Sequence, residues 1–595
     1  MQRIKEYEKT WDLDVIFSGG SESKEFQAYL ETVLNEMQDL MSSVEAFHPD
    51  DSESATNLAT IVTKLEKTMK KLRESFAFIS CLSAQNVKDT SASLLVAKRS
   101  ELGAKMGGIR TTLNQKLASV SEQKWQEMLQ LESLQEVAFI LNETRTAAKE
   151  LLPREQEVLI NDLSVDGYNA WGQMYEVIVG KITVEIEEDG EVTYYSVGQA
   201  ANKMSSPDPE FRKYVFKQIS KAWEDNADLF GQTLNHLAGF RLQKYKHRGW
   251  EDVLKEPLKI NRMKRETLDV MWNAISNNKK HFVKYLNKKA ELLGKDKLAI
   301  YDIGAPLSKT VKKVPYSEAA NFIVENFNKF SPKMANFAQM AFEKRWIEAE
   351  DRAGKRPGGF CTSFPDSQQT RVFMTYSGTT SNISTLAHEL GHAYHQHVMN
   401  DIHGLNQGYA MNVAETASTF AEMIVADATV KSAKSNQEKV ALLEDKVQRS
   451  IAFFMNIHAR FLFETRFYEE RKNGMVSVNR LNELMIEAQK EAYCDALSEY
   501  DPNFWSSKLH FHITGTPFYN FPYTFGYLFS LGIYAHANKS DKSFEDDYIA
   551  LLRDTGRMNV EDLAMKHLNV DLTKPDFWED ALALCVKDVE EFISL

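Results

Sequence analysis

The sequence predicts a mainly α-helical protein with a small amount of β-structure. Proline is scarce, 14 in 595 residues, so long stretches lack the residue that most strongly stops a helix. Apolar residues recur at helical spacing: Leu268, Met271, Trp272 and Ile275 stand at i, i+3, i+4 and i+7. Strand-like alternation is confined to two short stretches.

Taken in chain order, Phe26 to Leu163 reads as several long amphipathic helices with few turn signals. Ile182-Thr183-Val184-Glu185-Ile186 then alternates, Glu187–Glu191 turns through an Asp-Gly step, and Val192–Ser196 returns, which predicts a hairpin. A boundary is placed after it, giving a helical region 1–198 and a second unit 199–595 that carries the recognisable chemistry. Arg371–Tyr376 is the second strand candidate, ending at Ser377-Gly378. Ser381–Met399 reads as a helix, with N-cap candidates among Thr379, Thr380, Ser381 and Asn382. Helical patterning resumes over Val440–Glu470 and runs to Leu595.

Apolar residues at 43% and charged residues at 26% are ordinary for a globular chain. The net charge of −13 argues against nucleic acid as a partner, since phosphates require a basic stripe. No uncharged apolar run approaches the roughly 20 residues needed to span a bilayer, so no membrane partner is expected. The first residues, MQRIKEYEKTWDLDVIF, lack an apolar signal core. Cys81, Cys361, Cys494 and Cys585 are scattered, as expected of free thiols rather than a disulfide framework. A cytoplasmic enzyme is the expectation.

The chemistry centres on His388-Glu389-Leu390-Gly391-His392. Residues four apart on a helix lie roughly 40° apart and one turn along the same face. Two imidazoles placed so can bind one Zn²⁺ at about 2.0–2.1 Å. Glu389, on a neighbouring face, would reach a metal-bound water, take its proton, and later deliver it to a leaving amine. A catalytic zinc needs a third protein ligand and an open position. In Asn412–Glu422 two carboxylates, Glu415 and Glu422, stand seven apart among Ala414, Ala417, Ser418 and Ala421. Such small residues let two helices pack closely. Glu415 is assigned as third ligand and Glu422 as a group orienting a histidine ring. A three-histidine site would need HExxHxxGxxH, but here its glycine position is His395 and its last histidine position is Val398. His395, His397 and His403 are read as structural or solvent-facing.

A peptidase must also hold an extended peptide and an oxyanion. Phe373–Gly378 is a candidate edge strand for the first task, an ordinary core strand being the alternative. The run Lys508–Tyr527, dense in histidine, tyrosine and glycine, suits a loop closing on substrate.

With HELGHAYH at 388–395, ETASTFAE at 415–422, His510-Phe511, the segment Pro517–Tyr527 and Trp11-Asp12-Leu13-Asp14, the chain resembles oligoendopeptidase F, a group of the thimet oligopeptidase-like zinc metallopeptidases, over nearly its whole length. The resemblance implies a two-lobed helical assembly around a deep channel, with a small sheet at the zinc. It implies short peptide substrates cut internally, one Zn²⁺ per chain on His388, His392 and Glu415, and Glu389 as base. The family's substrate-contacting histidine and tyrosines map to His510, Tyr519 and Tyr527. One departure is His512, where relatives carry tyrosine after His-Phe, so His510 and His512 compete for one role. Two other functions share the motif. A dipeptidyl carboxypeptidase would need a cationic grip on a terminal carboxylate, for which Arg371 and Lys355 are candidates. A helical scaffold with a structural metal would need a fourth protein ligand.

Overall fold

The computed structural model describes residues 5–307, 313–539 and 544–595. It is mainly α-helical, with one two-stranded and one three-stranded sheet among the described residues. The N-terminal part opens with three long helices, Lys24–Ala46, Ser54–Gln85 and Thr90–Ser119. Ser23 and Asp89 cap the first and third, each accepting a backbone N–H from three residues on. The first helix buries Phe26, Leu30, Val33, Met37, Leu40 and Val44, a stripe with steps of three and four. This apolar cluster runs from Trp11 to Leu141 and takes in Phe364 and Phe373 from the sheet beside the HELGH helix. A second, larger cluster starts at Tyr175 and continues to Phe592.

The hairpin is formed by β1 (Thr183–Glu188) and β2 (Glu191–Ser196). Its turn is shorter than the sequence suggests. Asp189 and Gly190 alone connect the strands, both at positive φ (53° and 83°), the backbone a two-residue hairpin turn requires. Val184 and Ile186 are fully buried and pack with Ala200 and Val215 in a small core of their own.

The second sheet comprises β3 (Ile347–Glu348), β4 (Phe360–Phe364) and β5 (Gln369–Phe373), in the order β3-β5-β4. The expectation that Phe373–Gly378 offers a free edge is corrected by this order. β5 is central, parallel to β3 and antiparallel to β4. The pairing continues beyond it, with Met374 N–H donating to Glu348 O and Tyr376 N–H to Ala349 O, both at 2.9 Å. The strand with a single partner next to the HELGH helix is β4. The WDLD segment supports this sheet from below: Trp11 packs its ring 5.6 Å from Phe373, and Asp12 O accepts the Arg371 guanidinium at 2.8 Å.

Among the described residues no helix is long and apolar enough to cross a membrane. All four cysteines are unpaired; Cys81 and Cys585 are buried, whereas Cys494 is exposed.

Candidate metal centre

The HELGH helix spans Thr380–Val398 and begins with a reciprocal cap. Asn382 N–H donates to Thr379 Oγ1 at 3.2 Å, while the Asn382 side-chain oxygen accepts Thr379 N–H. The helix presents His388 and His392 to Glu415. Glu415 does not sit within a helix. It is the N-cap residue of Thr416–Lys431, joined to the short turn Met411–Ala414.

Two glycines allow this convergence. A Cβ on Gly391 would lie 2.5 Å from Ala417 O and 2.6 Å from Ser418 Cα, so the HELGH helix and Thr416–Lys431 cross at backbone contact. A Cβ on Gly526 would lie 3.1 Å from Glu415 Cβ. Gly526 thereby lets the helix Phe521–Lys539 press on Glu415 from the other side. Ser530 of that helix donates its hydroxyl to Glu415 O at 3.1 Å and Thr416 O at 2.9 Å.

One oxygen, Glu415 Oε2, is 3.2 Å from His388 Nε2 and 3.5 Å from His392 Nε2. Donor atoms of the three residues all lie within 4.8 Å of one another, the one such cluster of three among the described residues. Burial lowers His392 to about 4, keeping it neutral, the form that ligates a metal. Burial pushes the Glu415 carboxyl up, but the His388 hydrogen bond, the neighbouring histidines and the Ser418 hydroxyl outweigh it and hold it at about 2. A carboxylate and two imidazoles within bonding reach of a common point fit a divalent metal with N and O ligands.

Glu422 lies 3.3 Å from His388 Nδ1, where it orients the ring, and is itself paired with Arg449. Glu389 is 7% exposed. Burial, opposed by His388 and aided by Glu415, raises its carboxyl to about 7. Its Oε2 has no hydrogen-bond partner among the described residues. Gly359, just before β4, lies against its Oε1: a Cβ there would approach to 3.3 Å.

The sequence-predicted C-terminal residues separate into two groups. His510 stacks on Tyr519 (centroids 5.4 Å apart, 21°) and meets Tyr523 edge-on at 6.3 Å. Tyr523 also touches Tyr519 and feels the charge of Glu415. Tyr523, which the sequence pattern did not single out, thus belongs to this cluster. Tyr527 is not brought to this cluster. Its hydroxyl faces Ser450 Oγ at 3.2 Å and Cys585 Sγ at 3.8 Å, and its ring stacks on Phe453. His512 is fully buried and stacks on Tyr175 at 4.1 Å, so of the two competing histidines His510 is the one among the tyrosines. His395 is buried between Tyr409 and Thr555, and His403 meets Glu66. Neither belongs to the donor set. Arg371 and Lys355 are both committed elsewhere. Arg371 is fully buried against Asp12 O, and Lys355 holds Glu348 and Met374 O.

The chain is similar to known proteins over nearly its whole length. The Oligopeptidase F family model matches residues 116–183. The oligoendopeptidase F homolog of Lactococcus lactis is 24% identical over 531 residues, covering 87% of this chain and 86% of that one. Group B oligopeptidase PepB of Streptococcus agalactiae is 23% identical over 606 residues, covering 98% and 96%. Among solved structures, a protein of Chlamydophila abortus superposes with a TM-score of 0.81 at 19% identity over 98% of each chain. Oligoendopeptidase-F from Enterococcus faecium gives 0.68 at 17% identity over 96% of this chain and 99% of its own. The Peptidase family M3 model matches residues 202–584, which include every residue of the donor set, and the chain belongs to peptidase family M3.

Proposed function

We propose that this protein is a zinc-dependent endopeptidase that hydrolyses internal bonds of short oligopeptides. The observation that carries the reading is the convergence of His388, His392 and Glu415 beside a buried carboxylate, Glu389, whose Oε2 has no protein partner. His388, His392 and Glu415 would hold one zinc ion. When bound, zinc supplies a Lewis acid that polarises a carbonyl and makes water nucleophilic at neutral pH. Three donors with no fourth among the described residues match a catalytic rather than a structural site.

The protein's own groups supply the rest. Glu389 takes a proton from the attacking water and passes it to the leaving amine. His510, Tyr519 and Tyr523 offer N–H and O–H donors to the developing oxyanion. Glu422 fixes the His388 ring by accepting from Nδ1, leaving Nε2 for the metal. A substrate that adds as a further strand to β4 would run past Gly359 and so past Glu389. Cleavage of a randomised peptide library, read by mass spectrometry with and without a chelator, tests the reading. Chelator-sensitive internal cuts are expected. Zinc bound without any hydrolysis would favour a scaffold instead.

A further inference from the structure

We propose that Arg460 and Lys508 form a carboxylate-binding subsite next to His510, which selects peptides bearing a carboxylate at that position. The proposal rests on the peptidase reading above and adds a specificity element to it. Arg460 lies on the helix Ile457–Arg471, and Lys508 precedes the turn Leu509–Phe511 that carries His510. Both cations lie over the same ring, Phe504: the Arg460 guanidinium at 5.4 Å and the Lys508 ammonium at 4.6 Å from its centroid.

Neither cation has an ion-pair partner among the described residues. Arg460 uses only Nε, donating to Asn456 Oδ1 at 2.9 Å, which leaves the Nη1 and Nη2 fork free. The carboxylate whose charge Lys508 feels is Asp501, and one of its oxygens is already taken by the Asn503 N–H at 3.0 Å. Lys446, also partly buried, is by contrast bridged to two acids, Asp427 and Asp588. Here, two like charges lie against one ring, Phe504, while partly withdrawn from water. Burial brings Lys508 down to about 8 and lowers Arg460 as well. That arrangement costs free energy unless an anion completes it. A planar carboxylate fits a free guanidinium fork in bidentate fashion, with the ammonium as a second contact.

The placement links the pair to the reaction. Lys508 is two residues from His510, the charges of both cations reach His510, and that of Arg460 also reaches Tyr523. The carboxylate can belong to the peptide's C-terminus or to an acidic side chain. The two residues weighed for such a grip in the sequence, Arg371 and Lys355, are occupied by Asp12 O and Glu348.

The test compares kcat/KM for four forms of one peptide that the zinc-loaded enzyme cleaves. They are the free acid, the C-terminal amide, and each of these with its acidic side chains changed to amides. A carboxylate held by both cations favours the acid form by about tenfold to hundredfold, mainly in KM. A high acid-to-amide ratio at the C-terminus assigns the site to the terminal carboxylate and an exopeptidase-like preference. A high side-chain ratio assigns it to an internal Glu or Asp. In either case, Arg460→Met and Lys508→Met should bring that ratio toward one. Ratios near one in the wild type, or ratios that both variants leave unchanged, overturn the proposal even though cleavage itself stands. Absence of chelator-sensitive cleavage of all four would overturn the peptidase reading instead.

Discussion

Replacing Gly391 by alanine probes the helix crossing on which the metal centre depends. The added Cβ would sit 2.5 Å from Ala417 O and 2.6 Å from Ser418 Cα. Both contacts are backbone, so no side chain can swing aside. Reaching an ordinary separation of about 3.5 Å requires roughly 1 Å of movement between the helices. Overpacking of this kind costs about 1–3 kcal/mol, and the rigidity of two helix backbones places it at the upper end. Glu415 caps the displaced helix, so the same movement draws it away from His388 and His392. Metal sites tolerate ligand displacements of only about 0.2 Å. Zinc affinity should therefore fall by about a hundredfold, the equivalent of about 3 kcal/mol. Chelator competition measures the affinity, and thermal melts with and without zinc measure the stability. A G391A protein that binds zinc and melts like the wild type would refute the reasoning.

Other consequences follow from the same structure. Tyr523→Phe should lower kcat by about 10²–10³ with little change in KM, whereas Tyr527→Phe should cost about 1 kcal/mol of stability through the lost Ser450 contact; steady-state kinetics and melts separate the two. Burial raises the Glu464 carboxyl to about 8 despite Arg241, the Phe518 N–H and the Asn520 amide. Between about pH 4.3 and 8 the folded state keeps this proton while the unfolded state has lost it, so stability falls as pH rises through that window. Melting profiles of wild type and Glu464→Gln over pH 5–9 should diverge, the wild type falling relative to the variant, and parallel profiles would exclude the effect. Burial lowers His512 to about 3. Its contribution is therefore present above about pH 6.5 and lost as pH falls toward 3, so His512→Phe should lessen acid destabilisation in the same measurement.

Much of the centre was legible in the sequence because it depends on short-range spacing. HELGH fixes two histidines on one helical face, and the small residues around Glu415 announce a close crossing. The Asp-Gly step likewise specifies the hairpin, since both residues must take positive φ. What was not legible depends on tertiary placement. Tyr519, Tyr523 and Tyr527 are spaced four apart, so pattern alone cannot rank them. The helix starts only at Phe521, Gly526 sets its rotation against Glu415, and Ser450, Phe453 and Cys585 cover Tyr527. The strand order was hidden for a similar reason. β3 is two residues long and too short to register as alternation, yet it occupies one side of β5 and so makes β5 the central strand, with β4 on its other side. Arg371 looked like a free cation because nothing local reveals that the distant Asp12 O takes it.

The central claim, a zinc peptidase using Glu389 as its base, is tested most directly by Glu389→Gln assayed beside the wild type for zinc content and peptide turnover. Both proteins should hold one zinc per chain, a chelator should abolish wild-type cleavage and zinc restore it, and turnover in the variant should be lower by about 10²–10⁴. Wild-type turnover in the glutamine variant, or wild-type cleavage that persists once zinc is removed, would contradict the claim.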